Sequence, residues 1–105
     1  MEREHFLALK NYFSNEKKFI SGGYYRLKQE SAHTYKLSFL EMDSCGASIV
    51  APEITVSVTP NEVIATGLID FSVQPVKQLT NEGSINLELQ EELEKLVIKF
   101  KKALQ

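Results

Sequence analysis

From Ile54 to Val73 apolar and polar residues alternate on both sides of a Pro60-Asn61 turn, and no other stretch narrows the possible folds as much. Ile54, Val56 and Val58 alternate with Thr55, Ser57 and Thr59, and the return run starts at Val63. Alternation of period 2 puts one side of a strand in the core, and two such runs joined by a tight turn form an antiparallel pair. Pro60 suits the second position of a type I turn, because its φ is already set. With Val58 opposite Val63, Val56 falls opposite Ala65, so both apolar sets share one face. The expected core set of the return strand is Val63, Ala65, Ile69 and Phe71. Ile64 and Leu68 then point away from the core, unless a bulge near Gly67 turns one of them inward.

A second hairpin is expected upstream. Tyr25 and Leu27 alternate with Tyr24, Arg26 and Lys28, and Tyr35, Leu37 and Phe39 alternate with Thr34, Lys36 and Ser38. A turn centred on Ser31 pairs Leu27 with Tyr35 and Tyr25 with Leu37. Residues 41–46 have turn composition, and residues 47–51 predict a short third strand ended by Pro52. Residues 74–83 read as a loop.

Helices are expected at both ends. In the first 20 residues Phe6, Leu9, Phe13 and Ile20 fall on one stripe, and Ser21-Gly22-Gly23 reads as the helix stop. From about Ile85 onward Leu89, Leu93, Leu96, Val97, Phe100 and Leu104 form a second stripe. Glutamates fill the first half of that segment and lysines the second, which suits the helix dipole, and Glu91 with Lys95 adds an i,i+4 pair. The expected fold is α+β. It is one domain over residues 1–105, an antiparallel sheet of four to five strands in the order α-β-β-(β)-β-β-α, with the two terminal helices on one face.

Composition excludes several functions. The 105 residues carry a net charge of −2, which lacks the basic footprint of a nucleic-acid partner. The single cysteine, Cys45, rules out an internal disulfide and a CxxC site. The N-terminus has no apolar h-region and no run is long enough to span a bilayer, so the expectation is a cytoplasmic protein without a membrane role.

Local motifs are equally spare. Gly22-Gly23 precedes an expected strand, whereas a phosphate loop needs glycines leading into a helix N-terminus. Tyr24, Arg26, Lys28 and Lys36 share the outer side of the first hairpin, a possible binding face that a solvated sheet surface explains as well. His5 and His33 sit on separate segments, so no metal ligand set or Cys–His pair is expected. Cys45 has acidic neighbours, the wrong surroundings for a thiolate nucleophile. Glu41, Asp43, Glu53 and Asp70 match no DxDxDG or HExxH pattern. Arg3, Lys10 and Lys17, spaced by seven, predict a basic row along the first helix whose stems cover the core edge.

The strongest signal outside the core is apolar residues facing the wrong way: Ile64 and Leu68 on the sheet, Ile98 and Leu87 on the last helix, and Leu7 on the first. Ile64, Leu68 and Ile98 are therefore the expected interface, and the reading is a non-enzymatic homodimer acting as an adaptor, chaperone-like factor or inhibitor. No cofactor and no metal are expected. An alternative is a small-ligand carrier in which Tyr12, Tyr25, Tyr35 and His5 serve a pocket between helices and sheet. A third is an enzyme whose site leaves no local motif.

Overall fold

In the computed structural model, residues 1–42, 44–81 and 86–105 are described. The elements are α1 (Arg3–Leu7), followed by a 3-10 turn at Ala8–Asn11, then β1 (Lys18–Ile20), β2 (Gly23–Gln29), β3 (Thr34–Met42), β4 (Ser48–Val58), β5 (Val63–Asp70), β6 (Lys77–Thr80) and α2 (Leu87–Ala103). All six strands form one sheet in the order β1-β2-β3-β4-β5-β6, each antiparallel to its neighbours. The α+β class and the helices at both ends stand as expected, and the strand count rises from four or five to six.

Both extra strands lie at the edges. The expected 20-residue helix stops at Asn11, where Ser14 and Asn15 bring side chains that compete for backbone hydrogen bonds. Phe13 nonetheless keeps its core position, against Tyr25 and Phe100. The chain then turns Lys18, Phe19 and Ile20 into β1, which pairs with Tyr25, Tyr24 and Gly23. Ser21 and Gly22 both take positive φ, at 48° and 95°. That is the two-residue hairpin turn whose twist matches the flanking strands. The double glycine thus links two strands instead of stopping a helix. At the opposite edge, Lys77–Thr80 pairs with Gly67–Asp70, where a loop was expected.

Two registers differ from simple alternation. The first hairpin pairs Leu27 with Leu37 and Tyr25 with Phe39, so its turn centres one residue later than Ser31. A shift of two in pairing preserves parity, and the same residues face inward. Between β3 and β4 the pairing steps from Ser38↔Glu53 to Leu40↔Val50, leaving Ala51 and Pro52 opposite Phe39. The strand therefore runs straight through Pro52, whose missing N–H falls at the bulge and costs the ladder no bond.

The second bulge matters more. Val58↔Val63 and Val56↔Ala65 pair as expected, but Thr55 pairs with Gly67, so Thr66 is the extra residue. Beyond it the faces swap. Leu68 turns inward to 4% exposure, while Ile69 and Phe71 leave the expected core set. Leu68 is a core residue and not part of an outward pair with Ile64.

The inner face is a continuous ladder of Tyr25, Leu27, Tyr35, Leu37, Ile54, Val56, Val58, Val63, Ala65 and Leu68. Phe6 and Leu9 cover one part of it, and Leu89, Leu93, Leu96, Val97 and Phe100 of α2 cover the rest. Ring contacts knit the layers, including Phe6 on Tyr35 at 5.6 Å and Phe100 on Tyr25 at 4.9 Å. The α2 stripe is buried as expected except for Leu104, which is exposed. Asn86 caps the helix, its side-chain oxygen accepting from the Leu89 N–H. The expected start at Ile85 lies outside the described residues. Lys95 pairs with Glu92 at 3.5 Å, one turn position away from the expected Glu91.

Candidate interaction face on the open side of the sheet

Both helices pack on the inner face, so the outer face of the sheet is left open. Strand parity decides which side chains stand there. Across one end run Phe19, Tyr24, Leu40 and Val50, joined by Met42 and by Phe71, which follows β5 and donates its N–H to the Val50 carbonyl at 2.9 Å. Phe19, Met42 and Phe71 are exposed, Tyr24 and Val50 are half-buried, and Leu40 is buried beneath them. Phe19 stacks on Tyr24 at 5.2 Å, and the Lys17 ammonium sits 5.1 Å from the centre of the Tyr24 ring.

A charged cluster occupies the middle of the same face. Glu53 is its hub. Its carboxylate accepts from the Ser38 hydroxyl at 2.8 Å and from the Arg26 guanidinium at 3.5 Å. Lys36 lies 3.8 Å from Glu53 and 3.4 Å from Glu30. Ser38 is fully buried under this cover. Arg26 Nε is buried and finds no acceptor among the described residues. A half-buried carboxylate holding three partners is worth more than an exposed pair, since removing it would strand a buried hydroxyl and a guanidinium.

Tyr24, Arg26, Lys28 and Lys36 do share this outer face, as expected from alternation. Two of their three charges have carboxylate partners. Glu53 and Glu30 engage Arg26 and Lys36, while Lys28 is exposed without an ion pair among the described residues.

The other expected site residues scatter. Ile64 is half-buried on the outer face beside Ser57, at the far end from the aromatic strip. Ile98 is 52% exposed on α2, on the opposite side of the sheet, and Leu68 is in the core. The three do not form one surface. His5 pairs with Glu2 at the chain start, while His33 Nδ1 meets the Val58 carbonyl at 3.2 Å. Among the described residues no group of three His, Cys, Asp or Glu gathers as a metal site. Cys45 is exposed in a turn. Glu41 is exposed at the end of β3, Asp70 accepts from the Ser72 N–H and hydroxyl, and Asp43 lies outside the described residues. The basic row on the first helix dissolves: Lys10 donates to the Tyr35 hydroxyl, and Lys17 lies on the other face beside Tyr24.

Local periodicity hides the aromatic strip, because Phe19 follows the helical spacing of the first 20 residues and Phe71 the core alternation from Val63. The signal that would have found it is Ser21-Gly22, a turn dipeptide between the apolar pairs Phe19-Ile20 and Tyr24-Tyr25. Among the described residues no helix is long and apolar enough to cross a membrane. Comparison with known proteins finds no matching family model, no matching curated protein and no matching solved structure.

Proposed function

We propose that this chain is a non-enzymatic interaction module that pairs with a second copy of itself through the open face of its sheet. The observation that supports this is the strip of Phe19, Met42 and Phe71, exposed around Tyr24, Val50 and Leu40 on the face that no helix covers. An apolar surface of this kind favours being covered. A second copy is the occupant that the charges favour. Arg26 and Lys36 are answered within each chain by Glu53 and Glu30, so two identical faces meet without opposed fields. Ile64 extends the same face, whereas Leu68 and Ile98 lie outside the proposed contact.

The reading is of a binding protein because Ser38, whose hydroxyl a carboxylate holds, is fully buried and beyond a substrate's reach. The inner face is filled by packed rings, which favours an interaction module over a carrier that encloses its ligand in the core between helices and sheet. Sedimentation equilibrium tests the proposal. The wild-type chain is expected at twice its monomer mass, and the exposed-residue pair Phe19→Glu with Met42→Glu at the monomer mass with an unchanged circular dichroism spectrum. A wild-type monomer at all concentrations, or a double variant that still dimerises, overturns it.

A further inference from the structure

A second surface, on the helix side of the sheet, has a different chemistry. Between the C-terminal half of α2 and the β1–β2 turn runs a groove of about 490 Å³, within the size range of small-molecule sites. Lys95, Lys99 and Lys102 stand along it at helical spacings of four and three, and Ile20 and Ile98 supply apolar walls. None of the described residues that line it is Asp or Glu. A net negative chain thus carries a groove of locally positive charge.

The lysines differ in their occupations. Lys99 is anchored with its ammonium 3.5 Å from the centre of the Phe39 ring, a cation–π contact that leaves its N–H groups free to donate. Lys95 leans on Glu92 at 3.5 Å. Lys102 has no carboxylate within ion-pair distance among the described residues.

Tyr25 adds a hydroxyl donor to the groove. It is 6% exposed, its ring is clamped by Phe13, Phe39 and Phe100, and it lines the groove. No described residue makes a hydrogen bond to its hydroxyl. Its ring is packed, while the hydroxyl at its tip reaches the groove, where water or a ligand can accept from it. Burial also pushes its pKa up from the ordinary 10.0, so the hydroxyl keeps its proton at neutral pH.

We infer that this groove binds a small organic anion with an apolar body. Its head group would accept from the Tyr25 hydroxyl and pair with Lys99 and Lys102, and its body would lie on Ile20 and Ile98. An anion is selected because Lys99 and Lys102 bring ammonium groups with no carboxylate paired to them among the described residues, beside the polar Ser21 and Gln105, and an apolar body because Ile20 and Ile98 form the walls. The site is on the far side of the sheet from the proposed dimer contact, so each claim survives the failure of the other.

Octanoate is the probe, with octyltrimethylammonium as a control of the same chain length and opposite charge. Calorimetric titration of the full chain is expected to show one octanoate site, with amide shifts at Tyr25, Lys99 and Lys102 in heteronuclear spectra. Tyr25→Phe deletes a hydroxyl with no partner in the protein, so it folds normally and weakens octanoate by about tenfold, the value of one charge-assisted hydrogen bond. Lys102→Glu, at an exposed position, weakens it by at least as much. Absence of octanoate binding, equal binding of the ammonium control, shifts located elsewhere, or undiminished affinity in both variants would each overturn the inference.

Discussion

At Gly23 a single hydrogen in place of a methyl group decides whether two strands fit together. A Cβ there would overlap the edge of the Phe39 ring, which lies across the glycine backbone. Its neighbour Gly22 has open space around it but sits at φ 95°, a conformation that side chains resist. Gly67 has neither constraint, for a Cβ would meet the Leu79 carbonyl oxygen at 3.8 Å, an ordinary contact. Alanine at the three positions separates the causes. Gly23→Ala is expected to cost about 1–3 kcal/mol through overpacking, and Gly22→Ala about 1 kcal/mol through its backbone. Gly67→Ala should be neutral or slightly stabilising. Urea unfolding midpoints check the order, and Phe39→Leu in the Gly23→Ala background should recover part of the loss.

The elements at the sheet edges show how a half-covered strand is protected. β6 pairs only with Gly67–Asp70, which leaves the first half of β5 without a neighbouring strand. Gln90 of α2 fills that place. Its side-chain oxygen accepts from the Ala65 N–H and its amide nitrogen donates to the Val63 carbonyl at 3.3 Å. One side chain thus makes the two bonds that a strand residue would make, and blunts an edge otherwise open to another chain. On the opposite edge the Ser14 carbonyl does similar duty, accepting from the Leu27 N–H at 2.9 Å. Replacing Gln90 by Leu leaves a backbone donor and acceptor unpaired, at an expected cost of about 1–3 kcal/mol. Hydrogen exchange should show the Ala65 amide opening faster, with amides in β3 little changed.

The chain as a whole should respond to alkaline pH with a defined sign. Burial raises the pKa of Tyr25 above its ordinary value of 10.0. Lys77 is raised above 10.5, chiefly by its hydrogen bond to Glu88, 3.2 Å away, which ties β6 to the start of α2. In both cases the folded protein holds its proton more tightly than the unfolded chain. The stability each contributes is fully present below the unfolded pKa and is lost as pH rises toward the folded one. Thermal melts are therefore expected to be level through neutral pH and to fall above about pH 10. Tyr25→Phe should flatten the Tyr25 part of that fall, and Lys77 contributes weakly because it is partly exposed.

Alternation along Ile54–Val58 and Tyr35–Phe39, and the stripe from Leu89 to Phe100, announce an antiparallel sheet with a terminal helix from sequence alone. Those signals are readable because each repeats over several residues and depends only on which side of its own element a side chain falls. The hairpin register of Val58 with Val63 follows for the same reason. The edge strands were not readable: Lys18–Ile20 and Lys77–Thr80 are too short for a period to register, and each exists only because a neighbour presents a ladder to pair with. The swap at Thr66 was readable only as an option, since a bulge is chosen by what packs on both sides. The candidate site suffered most, because a surface is the sum of residues from several strands. Leu68 entered the core and Ile98 faced the other side, while Phe19, Tyr24, Met42 and Phe71 came together only once six strands were in register. A chain's own periodicity says which side of an element is wet. Which elements lie side by side is a property of long-range pairing, and that is where its surfaces are made.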